Sequence, residues 1–378
     1  MPPAIEIVPY TSEHEDAVRA FNGRLKAANL DPNQYSIRFP DSHIPKWLPK
    51  RDGCDLYQEF FVAIDDQSEV RGGYILKHQP FLVKGKLAEL GTYQLPISEG
   101  IIDRRYAIVG ARLYRDALRR LPCLLGLGGG GTETIIGEFL RAAGWQTTPI
   151  SFWFRVVHIN TFLGNLSAFR TTTLRRWVLD LLRFSGLGWL GLKAGLTVVD
   201  RFNRLGAVSY EVVPEFSEWA DDVWNRCKGD YSLIAVRDQK NLNVLYPASN
   251  PRFIRLKIIK NLVPLGWAVL LNTPMSGHKH FGEMRVGTLV DCLAGPDDAR
   301  YVVACAREYL EAAGSDLIIS NQANTAWCHA LQRNGFIQYA SNFPFFSSPS
   351  LTSQLQPLEE NAAKFHLNRA DGDGPIHL

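Results

Sequence analysis

The sequence predicts an α/β protein with mixed sheets, built as two tandem copies of one domain, and three observations carry that expectation. The first is a repeated opening. "IEIVPYTSEHEDAVRAFNGRL" near the start and "YEVVPEFSEWADDVWNRCKGDY" past the middle each run from a short β stretch through Val-Pro into an acid-led amphipathic helix. The second is a repeated close: "IIGEFLRAAGW" and "WCHALQRNGF" each end a helical pattern in Gly and an aromatic residue, Gly144-Trp145 and Gly335-Phe336. The Val-Pro signals lie 205 positions apart and the Gly-aromatic signals 191, so two unlike landmarks share nearly one offset. The third is the order between them: antiparallel β runs precede a long internal helix, and β-α-β follows it, in both halves.

Taken in order, the first half reads as a strand Ala4 to Pro9 and a helix Glu13 to Ala28, then a loop rich in Pro and Asp. The runs "EFFVAI", "VRGGYILKH" and "KLAELGTYQL" follow, then a helix "YAIVGARLYRDALRRL", a strand "CLLGLG", a helix to Ala143 and a strand "SFWFRVVHI". The second half gives "SLIAVRD", "GWAVLLNT", "MRVGTLVDC", the helix "ARYVVACAREYLEAAG", a strand "DLIIS" and the helix "ANTAWCHALQRN". The expected boundaries are 1–159 for the first domain, 160–206 for an insert, 207–346 for the second domain and 347–378 for a tail. In the insert, "TLRRWVLDLLRF" sets Leu174, Trp177, Val178, Leu181 and Leu182 on one helical face, and seven Arg/Lys outnumber two Asp over 166–206. It reads as a connector, with contact to an anionic membrane surface through 170–204 as the sharper alternative.

Composition bounds the function. With 46% apolar and 21% charged residues the chain is globular, and a net charge of +3 is too small to argue for nucleic acid, so no DNA partner is expected. The N-terminus shows no basic and apolar leader, and the six cysteines (54, 123, 227, 292, 305 and 328) form no C-x-x-C pair. Both suit a cytoplasmic protein with reduced thiols, peripheral at a membrane at most. The most apolar run, Leu174 to Val199, is broken by Arg175, Arg176, Asp180, Arg183 and Lys193, so it does not span a bilayer.

Several motifs invite chemistry. Gly126-Leu127-Gly128-Gly129-Gly130-Gly131 satisfies G-x-G-x-x-G between a strand and a helix. No acidic residue follows at the end of the next strand for a ribose, and Thr132 stands where a P-loop needs Lys, so neither NAD nor NTP is expected. His278-Lys279-His280 with Glu283 reads as a solvated loop, and Asp371-Gly372-Asp373-Gly374 as a turn, so no metal is expected. Better placed is Arg105-Tyr106-Ala107-Ile108-Val109-Gly110-Ala111, preceded by Arg104. It opens a helix whose free N–H groups and small residues suit a pyrophosphate.

At these residues the chain resembles the GNAT superfamily of acyl-CoA N-acyltransferases in a tandem form, similar in architecture to Fem-type and mycothiol-synthase-like enzymes. The family's Q/R-x-x-G-x-G/A loop is matched by Arg105 and Gly110, with Ile108 at the first glycine. Its N-x-x-A-x-x-x-Y-x-x-x-G-F helix is matched by Asn324, Gly335 and Phe336, with Leu331 at the tyrosine. In the first half Gly144 and Trp145 fit, with Glu133 for Asn and Leu140 for Tyr. The resemblance covers roughly 4–158 and 209–345.

What the resemblance implies is acyl transfer from acetyl-CoA or a longer acyl-CoA, as cosubstrate, to an amine or hydroxyl of a small-molecule or cell-envelope polysaccharide acceptor. The expected cleft lies between the domains. The thioester arm would lie along a splayed strand at Gln94, Leu95, Ile97 and Ser98, and the pyrophosphate at Tyr106 to Ala111. Base candidates are Glu89, Glu99 and His78, and acid candidates are Tyr93 and Tyr106. Asp297 and Asp298 would repel pyrophosphate in the second half, so CoA is expected in the first. An aminoacyl-tRNA-dependent enzyme and a non-catalytic binding protein stay open as alternatives.

Overall fold

The computed structural model describes residues 4–28, 38–128, 131–165, 208–278 and 281–372. The insert helix over Leu174 to Leu182, Lys279, His280 and the Asp373-Gly374 end of the tail motif lie outside them. The chain divides into two compact units, Met1–Thr148 with Asn342–Leu358, and Pro149–Ser341 with Glu359–Leu378.

The first unit runs β1 (Ile5–Pro9), α1 (Glu15–Ala27), β2 (Tyr57–Asp65), β3 (Val70–Val83), β4 (Lys86–Ser98), α2 (Ile108–Arg120), β5 (Leu124–Leu127), α3 (Ile135–Ala142) and β6 (Gln146–Thr148). The second runs β7 (Ser151–Val156), α4 (Ile159–Gly164), β8 (Val208–Val213), α5 (Glu218–Cys227), β9 (Leu233–Ala235), α6 (Gln239–Leu245), β10 (Ile254–Lys260), β11 (Val263–Pro274), β12 (Arg285–Ala294), α7 (Ala299–Ala312), β13 (Leu317–Gln322), α8 (Thr325–Arg333) and β14 (Ile337–Tyr339). The chain then gives β15 (Phe345–Ser347) and α9 (Pro349–Gln354) to the first unit. It ends in α10 (Leu358–Ala362) and β16 (Phe365–His366).

The repetition expected from sequence is present in the sheets. The first is ordered β1-β2-β3-β4-β5-β15-β6, and the second, from its own first strand, β8-β10-β11-β12-β13-β7-β14. In both, strands four and five are parallel (β4–β5 and β12–β13), and the sixth strand comes from the other half of the sequence. This differs from the sequence reading, which ended the first domain with "SFWFRVVHI". That strand, β7, hydrogen-bonds instead between β13 and β14. Arg155 explains the preference: it is 4% exposed, and its guanidinium donates to Glu311 Oε1 at 2.7 Å and to the Asn334 carbonyl at 3.1 Å. Those acceptors belong to the second unit, and an unpaired buried guanidinium is costly.

In the first unit the sheet is covered on both faces. Tyr74, Leu76 and Tyr93 pack against Val109 and Leu113 of α2 and Leu140 of α3. On the opposite face Phe60 and Ile75 pack against Val18, Phe21 and Leu25 of α1. Each such buried side chain contributes roughly 1.5–3 kcal/mol. The Gly-rich turn after β5 serves packing here: Gly128 has φ +83, and a Cβ on it would stand 3.0 Å from the Phe343 ring. Gly129 and Gly130 are outside the described residues. The cysteines are free thiols, and among the described residues no helix is long and apolar enough to cross a membrane.

Candidate functional site

In the first unit β4 and β5 pair only briefly, at Gly91↔Leu124 and Thr92↔Leu125. Gly91 permits the approach, since a Cβ there would lie 2.7–2.8 Å from Leu76, Leu121 and Leu124 side chains. Just beyond, β4 bulges: the β3 register slips between Gly73 and Ile75, and Leu95 takes φ +45. Pro96 follows and has no N–H to donate. Leu95 is 40% exposed, whereas Ile97 is buried in the α1-facing core. From the bulge on, β4 presents a strand edge that β5 does not use.

The loop after β4 leads to the N-terminus of α2. Ser98 Oγ accepts from Gly100 N at 3.1 Å and Asp103 Oδ1 from Arg105 N at 2.9 Å. The N-cap of α2, Ala107, brings no side-chain acceptor, which leaves the first-turn N–H groups for an outside partner. Ala107 and Ile108 are exposed, Gly110 and Ala111 half-buried, and Val109 is in the core. Around Gly110 the nearest atom to an added Cβ is Ser98 Cβ at 3.8 Å, so the surface there is open. Arg104 and Arg105 are exposed, but Arg105 is held by Asp103 at 2.6 Å, and Tyr106 is buried under the Arg71 guanidinium at 4.4 Å. The first-turn N–H groups, rather than the arginines, are what the loop offers to an anion.

The catalytic candidates fall in separate places: Glu99 at the end of β4, and Glu89 with His78 farther back along the sheet. Glu99 is 4% exposed, with Arg24 Nε 2.7 Å from one carboxylate oxygen and Arg71 Nη1 3.1 Å from the other. These two and their neighbours Asp65, Glu69, Asp103 and Tyr106 line a cavity of about 610 Å³ at the end of β4. Glu89 lies five residues before Gln94, roughly 17 Å along the strand. There it accepts from His78 Nδ1 at 3.0 Å, while His78 Nε2 meets Glu59 Oε2 at 3.0 Å. Burial opposes a charge on His78, but the two carboxylates outweigh it and hold its pKa above the usual 6.5. His78 first, and then Lys50, hold Glu59 down at about 2. Tyr93 is buried among Tyr74 and Tyr114, and burial pushes its hydroxyl far up. Leu140, at the family's tyrosine position, is likewise in the core.

A set of residues the sequence reading passed over stands closer to the divergence. On the face of the sheet that carries Ile75, Gln58, Lys77, Gln79, Thr92 and Gln94 form a polar row, each 8% exposed or less. Gln58 Nε2 donates to Gln94 Oε1 at 2.8 Å, and Lys77 Nζ lies 5.4 Å from the Trp47 ring centre. Gln79 Oε1 and Thr92 Oγ1 are buried without a hydrogen-bond partner. Their signal in the sequence is a period of two, Lys77 and Gln79 on β3, Thr92 and Gln94 on β4. Both strands read as apolar cores, which masks that period, and only Gln94 stands out in the sequence, as a cofactor residue.

The second unit repeats the Gly-Thr step. Gly287↔Asn272 matches Gly91↔His78, and Thr288 pairs with Ile319 of β13 as Thr92 does with Leu125 of β5. Thr288 Oγ1 is also buried without a partner. Past it, however, the chain itself occupies the divergence. Asn368 bridges to Gln322 of β13, its Nδ2 donates to Asp291 Oδ1 at 2.6 Å, and Arg237 links Asp291 to Asp371 at 3.0 and 2.8 Å. Tyr246 Oη donates to Asp291 at 2.7 Å, and all six of these residues are no more than 1% exposed. The second unit therefore has the same strand divergence, filled.

No family model and no curated protein sequence matches the chain. Solved structures do match in fold. A GCN5-related glucosamine N-acetyltransferase region of a fungal multi-domain β-N-acetylglucosaminidase aligns with TM-score 0.54 at 10% identity, over 92% of this chain. This chain spans only 38% of that protein's chain. A GCN5-related N-acetyltransferase from Anabaena variabilis aligns with TM-score 0.52 at 8% identity, over 91% of this chain and 72% of its own. A probable N-acyltransferase from Enterococcus faecalis gives 0.51 at 8%, over 93% and 75%.

Proposed function

We propose that this chain, which carries the GNAT fold twice in tandem, transfers an acyl group from acyl-CoA to an amine, with the first unit as the reacting one. The observation that carries the reading is the end of β4: the strand leaves β5 after Thr92, bulges at Leu95, and ends at Ser98, whose Cβ lies 3.8 Å from where a Cβ on Gly110 would stand, beside the N-terminus of α2 that no side chain caps. A strand edge pairs with amides and a helix N-terminus favours a pyrophosphate, and acyl-CoA carries both at one remove. Backbone N–H groups of Ile108, Val109 and Gly110 would hold the pyrophosphate, and the edge from Gln94 to Ser98 the pantetheine amides. The filled divergence of the second unit supports assigning it a structural part.

In the reaction the amine nitrogen attacks the thioester carbonyl carbon, the C–S bond breaks, the sulfur leaves as thiolate, and the nitrogen gives up one proton. Glu99 is committed to two arginines, and the polar row carries no carboxylate. The amine is accordingly taken up in its neutral form, and its proton balance is settled with solvent rather than with a resident base. With Glu99 held by two arginines and no carboxylate in the polar row, a non-catalytic binding protein is the second reading.

Incubation with acetyl-CoA and an amine panel tests the choice. Release of free CoA thiol together with an N-acetylated product supports transfer; acetyl-CoA binding without either leaves only the second reading.

A further inference from the structure

Gln79 Oε1, an acceptor, and Thr92 Oγ1, a hydroxyl that can accept as well as donate, lie on neighbouring strands of one sheet face, buried without a partner. Thr92 stands opposite Lys77, and Gln79 is two residues further along β3, so the two are diagonal neighbours with Cβ atoms roughly 7 Å apart. Leaving a buried polar atom unmet is costly, and among the described residues none, the neighbouring Lys77 included, bonds to either of these two. Thr92 is also the last residue of β4 paired with β5, so its hydroxyl sits where the sheet opens.

We infer that Thr92 Oγ1 and Gln79 Oε1 together hold the N–H groups of the incoming amine, and so define the acceptor subsite of the first unit. This rests on the acyltransfer reading above. Both atoms offer dipoles rather than charge, which suits a neutral amine: they accept its hydrogens and leave the nitrogen lone pair to face the divergence.

The second unit provides an internal control. Thr288 repeats the orphan hydroxyl, but Thr273 stands where Gln79 would be, by its place two residues past Leu271, which pairs with Thr288. The paired arrangement thus belongs to the first unit, and the control residue lies in the unit whose divergence is filled.

The test follows the melting temperature of the full chain with D-glucosamine, spermidine or L-lysine amide, without any CoA. At least one of the three should raise it. T92V and Q79L each remove an unmet acceptor, so each should melt higher on its own, by about 1–2 °C, and lose at least roughly tenfold in amine affinity. T92S, which keeps the hydroxyl, should respond like the parent, and T288V should melt higher with its amine response intact. An amine response that survives in T92V, or no response to any of the three in the parent, overturns the inference. Acetyl-CoA titrated alone separates the two claims: T92V should bind it as the parent does. A parent that binds the amine through Thr92 but not acetyl-CoA refutes the acyl-CoA reading and leaves the amine subsite standing.

Discussion

Arg24 Nε stands 2.7 Å from Glu99 Oε1, which makes the most conspicuous carboxylate of the candidate site one end of an ion pair. Arg71 grips the other oxygen, and Arg71 is itself shared with Asp65 at 2.7 Å and Glu69 at 2.6 Å. Removing one partner of a buried pair leaves the others uncompensated. Glu99→Gln should therefore cost about 3 kcal/mol in urea unfolding while changing kcat less than threefold. A variant of unaltered stability with kcat reduced a hundredfold would make Glu99 the base after all.

The absence of a carboxylate in the polar row has a kinetic consequence. With acetyl-CoA saturating, kcat/KM for the acceptor should rise about tenfold per pH unit and level off at the acceptor's own pKa. Replacing one amine by another of lower pKa should move the break by the same amount. A break that stays put across acceptors would reveal an enzyme base.

His78 makes a separate pH prediction, one of stability. Its pKa is raised above 6.5 in the folded chain, so its contribution is full below 6.5 and is lost as pH rises through the folded value. Glu59, at about 2, contributes above 4.5 and fails only as pH falls toward 2. The stability difference between the parent and His78→Gln should thus be largest between pH 4.5 and 6.5 and shrink toward alkaline pH. Melting curves across that range check it, and a difference that grows with pH contradicts the assignment.

In the second unit Arg237 is fully buried between Asp291 and Asp371. Arg237→Met would strand two buried carboxylates, at a cost of about 4 kcal/mol. Removing the charge at Asp371 as well, in R237M/D371N, should recover part of it. Chemical unfolding of the single and double variants reads the coupling directly, and additive effects would argue against a shared network.

How much of this was legible in the sequence follows from the physics of each feature. The two-fold repeat was readable because Val-Pro before a helix and Gly-aromatic after one are local signals, set by backbone and capping preferences. The exchange of β7 and β15 was not, since strand partners are chosen by distant groups; nothing near Arg155 announces Glu311 or Asn334. The loop from Arg104 to Ala111 was found by its small residues, but its sequence could not show Arg105 tied to Asp103 or Tyr106 turned inward. Glu89 and Glu99 were picked as carboxylates near the right strand, yet their partners decide their chemistry. Thr92 and Gln79 carry no distinguishing pattern beyond alternation; what marks them is a missing partner, which only the folded sheet reveals.

The central claim, an acyl-CoA site at the end of β4 and the start of α2, is tested most directly by calorimetric titration of acetyl-CoA into the parent and Gly110→Glu. The open surface at Gly110 lets the glutamate fold without strain and sets a carboxylate where the pyrophosphate would lie. The account predicts binding to the parent, and at least roughly tenfold weaker binding to the variant at unchanged melting temperature. Equal affinity in the two, or no binding to the parent, would contradict it.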